Sequence, residues 1–101
     1  MARLVVTAAA RADLLRIFDW ISVYSGEERA VAVMRRLNAS FQRLASFPNI
    51  GPATPNLGGA ERRHGVRPWT IFYRPLNDGG VEILRVFDSR RDIAALMGQK
   101  S

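Results

Sequence analysis

The spacing of hydrophobic residues changes near the middle of this chain, from a helical period to an extended one. Residues 4–6 form a short β-branched run that predicts a strand. Residues 8–24 then predict a helix, and Thr7 suits its N-cap because a threonine hydroxyl accepts from the free amides of a first turn. The apolar positions of this helix recur at the spacing of one helical face: Leu14, Ile17, Phe18 and Ile21.

A second helix is predicted after the break at Ser25 and Gly26. Ser25 and Glu28 have the spacing of a capping box, and the helix ends near Phe47 because Pro48 disfavours helical geometry in the residue before it. Its apolar residues form one stripe: Ala30, Val33, Met34, Leu37, Phe41 and Leu44. The arginines lie largely off that stripe: Arg29, Arg35, Arg36 and Arg43. A break this short predicts an antiparallel helical hairpin.

The second half of the chain has a period of two. After a loop rich in glycine and proline at 49–59, residues 62–66 and 69–74 are extended segments. Residues 77–80, Asn-Asp-Gly-Gly, predict a hairpin turn. Residues 81–87 predict a strand that is apolar at nearly every position, which is typical of a central strand buried on both faces.

The predicted elements define a single α+β domain over residues 1–101. Ser89 and Asp92 have a capping spacing, so a short C-terminal helix is expected through Met97, before Gly98. The fold class is therefore an N-terminal strand and an antiparallel two-helix hairpin packed on a small twisted sheet. A three-strand meander completes the sheet, and the short helix follows it.

Composition adds a strong positive charge to this picture. The formal net charge is +6 and the isoelectric point is near 11.3, which favours acidic partners such as nucleic acid or an acidic protein segment. The sequence has no cysteine, so disulfides and thiolate metal sites are excluded, and no apolar run approaches the length of a membrane span. We therefore expect a cytoplasmic protein without metal or cofactor. Helix-turn-helix, zinc and RNP patterns are lacking, which argues against direct sequence-specific DNA binding by this chain alone.

Four segments carry short motifs in a fixed order. The first helix begins with AAARADLLRIFDWI, in the form Ala-x-x-Asp-Leu-x-x-Ile. The second closes with FQRLASFPNIG, where Leu44, Pro48 and Gly51 have the form Leu-x-x-x-Pro-x-x-Gly. The last two are WTIFYRP and ILRVFDSRRDIAALM, and the latter contains the form Arg-Val-x-x-x-Arg-Arg-Asp. Together they resemble the RelE/ParE toxin superfamily over nearly the whole chain, closer to its ParE branch.

The resemblance implies one of two activities. RelE-like members cut mRNA on the ribosome, whereas ParE-like members poison DNA gyrase through protein contacts. Both are neutralised by a cognate antitoxin whose tail wraps the toxin. For a ParE-like chain we therefore expect the toxin half of a type II toxin–antitoxin pair, with DNA gyrase as its target and the antitoxin as its partner.

The residues for RNA cleavage are not evident. Attack by a 2′-hydroxyl needs a general base, a general acid and cationic donors at the phosphate. The resemblance implies a cation in the segment WTIFY, where this chain has neutral Thr70, and commonly a histidine after the last strand, where it has Asp88. A nuclease would have to use His64 with Arg63 and Arg67, together with Asp88. The sequence therefore favours a protein-directed poison; an mRNA endoribonuclease and a non-toxic basic binding module are the alternatives.

Arginines around the predicted sheet are candidates for contacts with the target or the antitoxin: Arg67, Arg74, Arg85, Arg90 and Arg91. Alternation along the last strand puts Arg85 on a face with apolar neighbours: Val81, Ile83 and Phe87. An arginine there is costly to bury unpaired, so Arg85 is expected to pair with Glu82, Asp88 or Asp92. Arg90 and Arg91 are expected to be exposed at the start of the last helix.

The first two helices offer more apolar residues than one thin sheet can cover. Those predicted to rim an exposed groove for the antitoxin are Trp20, Val23, Tyr24, Val31 and Phe47. Such a groove suits an amphipathic helix, and nearby arginines would attract an acidic tail. Addition of an extended segment to a free sheet edge is a second mode that the sequence leaves open.

Overall fold

A computed structural model describes residues 3–54 and 61–89 of the chain. Its elements are β1 (Arg3–Val6), α1 (Ala8–Ser25), α2 (Glu27–Ser46), β2 (Arg62–Val66), β3 (Trp69–Pro75) and β4 (Gly80–Asp88). This order confirms the predicted α+β succession of a strand, a helical hairpin and three further strands. The C-terminal helix predicted through Met97 lies outside the described residues.

The four strands form one mixed sheet in the order β1-β4-β3-β2. β4 pairs in parallel with β1 and antiparallel with β3, and β2 pairs antiparallel with β3. The predicted meander and the central position of the last strand are thus confirmed. The edge strands are β1 and β2, and the start of β2 is covered by a bridge between Ala53 and Arg62.

The core lies between the helical hairpin and one face of the sheet. Of the predicted stripe, α2 buries Ala30, Val33, Leu37, Phe41 and Leu44 and leaves Met34 partly buried against the core. Ala45 is buried in addition. The sheet contributes Ile71, Tyr73, Val81, Ile83 and Val86. α1 buries only Ala10, Asp13 and Ile21, and its other predicted apolar residues are half-buried against the core. No described helix is long and apolar enough to cross a membrane.

The two helices begin in different ways. The Thr7 hydroxyl accepts from the Ala10 amide at 3.1 Å and donates to the Leu84 carbonyl at 3.0 Å, which confirms the predicted cap of α1. The predicted capping box of α2 is wrong. Ser25 is the last residue of α1, and Gly26 alone joins the helices, at φ 95° and with no side-chain cap bond. A one-residue connection requires this positive φ, which glycine adopts without strain.

A β-bulge changes the alternation along β4. Tyr73 pairs with Ile83, but the preceding Phe72 pairs with Arg85, so β4 contains one extra residue at this point. Val86, instead of Arg85, therefore joins Ile83 in the core. The prediction that Arg85 shares a face with Ile83 is wrong, because simple alternation does not hold across a bulge.

The segment after α2 closes tightly on the sheet at Gly51. The Gly51 amide donates to the buried Tyr73 hydroxyl at 2.9 Å, and its carbonyl accepts from Arg62 Nη1 at 2.6 Å. A Cβ atom at Gly51 would lie 2.2 Å from the Arg63 carbonyl oxygen, so no larger residue fits without a backbone shift. This contact gives a physical reason for the glycine that ends the Leu-x-x-x-Pro-x-x-Gly motif.

Candidate functional site

Asp13 is a buried carboxylate that fixes α1 to the sheet, with 1% of its side chain exposed. It accepts from Arg85 Nε at 2.8 Å, from Arg85 Nη2 at 2.9 Å and from the Val86 amide at 2.9 Å. Arg16 completes the set with an ion pair from the surface. Val86 lies beyond Ile83, the last β4 residue that pairs with β1. The carboxylate therefore satisfies an edge amide that a longer β1 would have bonded.

Arg85 is held in this ion pair and is only a quarter exposed. Its hydrogen bond to Asp13 is the main cause that raises the pKa of the guanidinium, against the opposing effect of partial burial. Asp13 was not among the carboxylates predicted for Arg85, and one of those, Glu82, forms an ion pair with Arg74 instead. Local sequence patterns do not reveal this pair, because the two residues lie 72 positions apart.

An open groove of about 700 Å³ lies beside this ion pair, between α1 and the ends of β3 and β4. Its apolar walls include Trp20 of α1, Trp69 of β3 and Phe87 of β4, and charged groups such as Arg16 and Asp88 also line it. A concave apolar surface with a few charged groups is the usual form of a binding site.

An exposed apolar surface on α1 adjoins the groove. Trp20 is 62% exposed, Val23 77% and Tyr24 70%, and the Trp20 and Tyr24 ring centroids are 4.9 Å apart. Their spacing of three and four residues puts them on one side of the helix. We call these three residues the aromatic face. Large exposed aromatic residues at the edge of a pocket are typical anchors of protein interfaces.

The structure does not bring all five predicted groove residues together. Val31 is half-buried in the second turn of α2, near the hairpin connection and at the same end as the aromatic face. Phe47 is 62% exposed and follows the last residue of α2. Because the helices are antiparallel, Phe47 lies roughly 20 Å along the hairpin from the level of Trp20.

The four residues of the nuclease interpretation are spread over the sheet. Arg63 and His64 are successive residues of β2, so their side chains point to opposite faces. His64 is half-buried, and burial followed by the nearby charge of Arg43 lowers the pKa of its imidazole. Arg67 is exposed in the turn after β2. Asp88 ends β4, which is separated from β2 by β3, roughly 10 Å across the sheet.

Other predicted basic positions have different outcomes. Arg74 binds Glu82, and the Thr70 hydroxyl, at the place of the expected cation, is 2.7 Å from the Ser89 hydroxyl. Arg90 and Arg91 lie outside the described residues. Within residues 3–54 and 61–89, no group of three histidine or acidic side chains is arranged to hold a metal ion.

Two walls of the groove, Trp69 and Phe87, are not among the residues predicted from the sequence. A usable signal was present on α1, where Asp13, Ile17 and Trp20 are spaced by four and three residues and so share one side of the helix. A carboxylate in line with apolar residues indicates that this side meets a buried cation or a backbone amide.

The fold and this site place the chain in a class of small basic proteins with a helical hairpin over a mixed sheet and an exposed apolar surface beside a groove. Residues 4–93 match the family model described as the ParE toxin of a type II toxin-antitoxin system, parDE. The chain therefore belongs to the ParE toxin family, within the RelE/ParE superfamily that its motifs resemble.

Individual relatives agree with this membership. The chain is 36% identical to Toxin ParE3 of Caulobacter vibrioides over 101 residues, which cover 100% of both proteins. It is 29% identical to Toxin ParE1 of Mycobacterium tuberculosis over 92 residues, which cover 91% of this chain and 94% of that protein. A solved structure of the chromosomal ParDE TA system from P. aeruginosa has a TM-score of 0.73 and 26% identity, covering 87% of this chain and 96% of that one.

Proposed function

We propose that this ParE-family toxin inhibits DNA gyrase through protein contacts, and that a cognate antitoxin holds it inactive by covering the groove and the aromatic face. The observation that carries the proposal is the exposed pair of Trp20 and Tyr24 at the edge of an apolar groove. A stably folded monomer gains nothing from exposing two neighbouring aromatic rings, whereas a partner that desolvates them gains affinity.

The antitoxin assignment is supported by the charges around this surface. Arg16 lines the groove and remains 65% exposed at its side chain while bonded to Asp13. An acidic segment approaching α1 would meet this cation before its apolar residues reach Trp20, and such steering speeds association. The similar P. aeruginosa structure belongs to a ParDE system, and this likeness also supports an antitoxin partner for the present chain.

A protein target is favoured over RNA cleavage because the described arginines of β3 and β4, Arg74 and Arg85, are engaged in ion pairs. Arg85 is bound to Asp13 and Arg74 to Glu82, and Thr70 replaces the cation expected on β3. These features leave β3 and β4 with little free positive charge to stabilise the additional charge on phosphorus during cleavage.

The deciding experiment compares two targets of the purified full-length chain. Supercoiling by purified gyrase is measured in parallel with mRNA integrity in a coupled translation reaction. We expect supercoiling to fall, or cleaved DNA to accumulate, while the mRNA stays intact. Adding the product of the neighbouring antitoxin gene in equal amount should restore supercoiling by gyrase. Cut mRNA with unaffected gyrase would overturn the gyrase proposal.

A further inference from the structure

Three arginines form a row along the outer side of α2. Arg29, Arg36 and Arg43 are seven residues apart, and seven residues bring a straight helix back to within about 20° of the same direction. The row is therefore nearly parallel to the helix axis and spans about 21 Å. All three residues are exposed. We call Arg29, Arg36 and Arg43 the arginine row.

The surface between these arginines carries small residues and lacks apolar anchors. Ala32 and Ala39 lie between successive members of the row, and both are exposed. A protein interface of useful affinity normally needs a large aromatic or aliphatic side chain at its centre, which this side of α2 lacks. A row of guanidinium groups over small residues instead fits a linear array of anions.

The arginine row adjoins the turn that follows β2. Arg36 Nη2 donates to the Arg67 carbonyl at 3.1 Å, which places the row beside the exposed turn after β2. Arg43 lies close enough to His64 to contribute to its lowered pKa. The row and this turn therefore form one continuous positive surface.

The charge of this surface is not neutralised by acids of the described chain. The ion pairs within residues 3–54 and 61–89 join Arg3 to Asp78, Arg74 to Glu82, and Arg16 and Arg85 to Asp13. None of them involves an arginine of α2, and the acids of α2 are confined to its first turn. Unpaired arginines at this density create a local positive potential that attracts polyanions.

We propose that the arginine row binds the phosphate backbone of nucleic acid without reading its sequence. Arginine forms charge-assisted hydrogen bonds with phosphate oxygens, and each contact releases condensed counterions, which favours binding regardless of base sequence. This mode needs none of the sequence-reading motifs that the chain lacks. Duplex DNA and RNA offer the same phosphate chemistry. The activity is independent of gyrase inhibition and uses the opposite helix from the aromatic face.

The test is a binding titration of the purified full-length chain over a salt series. Fluorescence anisotropy is measured with a labelled mixed-sequence DNA duplex, with a single-stranded RNA and with polyglutamate. The variant R29Q/R36Q/R43Q is compared with R3Q/R11Q/R74Q, and each lowers the net charge by three from +6. Glutamine is a good helix former, so the row variant keeps α2 intact, which circular dichroism verifies.

Loss of three duplex phosphate contacts reduces the slope of log K against log salt by about 2.7. Between 50 and 200 mM salt, the wild-type affinity should therefore fall roughly fortyfold more than that of the row variant. The control variant should keep most of the wild-type slope. Binding to the duplex, to the RNA or to both supports the proposal and identifies the source of the phosphates.

Two outcomes would overturn the proposal. One is an equal loss of slope in the row and control variants, which would mean that only net charge matters. The other is binding of polyglutamate without binding of either nucleic acid, which would assign the row to an acidic protein segment.

Discussion

The two helices of the hairpin share one core but differ in how they are held and in what they present to solvent. α2 is held by six buried apolar residues, and its outer side carries arginines and small residues. α1 buries two apolar residues and the carboxylate of Asp13, and leaves Trp20, Val23 and Tyr24 exposed. α2 is therefore amphipathic, with an apolar side in the core and a polar side in water. α1 instead carries apolar residues on both its inner and its outer side.

This difference separates two kinds of surface on one small domain. The hydrophobic effect fixes α2, so its outer side is free to carry charge. α1 is anchored by an ion pair, so its outer side can remain apolar without loosening its attachment to the sheet. We therefore propose that the hairpin uses α1 for protein contacts and α2 for contacts with polyanions. Five predictions test this comparison, in order of decreasing effect.

Removal of the carboxylate that anchors α1 should have the largest effect. Asp13→Ala leaves Arg85 without its bidentate partner and the Val86 amide unbonded, at an expected cost of about 3–5 kcal/mol in the free energy of unfolding. Urea denaturation measures this change. The matched control is Asp19→Ala on the exposed side of the same helix, where we expect a change within about 0.5 kcal/mol. Equal effects would mean that the ion pair does not anchor α1.

Two leucine substitutions compare the contribution to stability of a buried residue in α2 with that of an exposed residue in α1. Leu37→Ala in α2 removes a side chain that is 0% exposed and should cost about 2–5 kcal/mol. Leu15→Ala in α1 removes one that is 65% exposed and should change stability by less than about 0.5 kcal/mol. Both are measured by urea denaturation. Similar losses at the two sites would contradict the assignment of the core to the inner side of α2.

Truncation of the aromatic face should affect binding more than folding. Trp20→Ala should weaken the antitoxin complex by about 2 kcal/mol or more, roughly thirtyfold in Kd, because it removes a central aromatic anchor. Its exposed position predicts little change in thermal stability. Calorimetric titration measures the affinity, and Leu15→Ala provides a control at an exposed apolar site elsewhere on α1. An unchanged Kd for Trp20→Ala would exclude the aromatic face as the antitoxin site.

Substitutions at the starts of the two helices should differ in their effect on stability by about the free energy of one N-cap. Thr7→Ala should destabilise the protein by about 1 kcal/mol, since it removes the bond to the Ala10 amide and the bond to the Leu84 carbonyl. Ser25→Ala should have almost no effect, because Gly26 is the N-cap of α2. If Ser25→Ala were as costly as Thr7→Ala, the cap assignment at the hairpin connection would be wrong.

The smallest effect concerns pH at the edge of the arginine row. The pKa of His64 is lowered, so the unfolded chain binds its proton more tightly than the folded chain does. This contribution to stability is present above the unfolded pKa, about 6.5, and is lost as pH falls through the interval down to the folded pKa. His64→Gln should therefore lose less stability than the wild type when urea unfolding is repeated below pH 6. Arg43→Gln should show part of this effect, and equal pH dependence in all three proteins would contradict it.

The sequence predicted the elements that depend on local patterns. The apolar stripe of α2, the Thr7 cap and the central strand β4 each follow from spacing or composition within a few residues. The short break at Gly26 also predicted the antiparallel hairpin, and the α+β order followed from the change of period.

The site was harder to predict from the sequence, because it depends on contacts between distant segments. The partner of Arg85 is 72 residues away, and the bulge beside Phe72 moves Arg85 off the face that alternation predicts. Phe47 and Trp20 are both predicted at the rim of one groove because both are large and apolar. An antiparallel hairpin, however, places them near opposite ends of its length. The lengths of the two predicted helices are sufficient to show that Phe47 and Trp20 lie far apart.

The central claim is that α1 presents the antitoxin surface, and hydroxyl-radical footprinting tests it most directly. Aromatic side chains are modified in proportion to their exposure, so the free toxin and its antitoxin complex can be compared residue by residue. We predict strong protection of Trp20 and Tyr24 in the complex, while Phe47, equally exposed in the free chain at 62%, stays reactive. Protection of Phe47 with Trp20 and Tyr24 still reactive would contradict the claim.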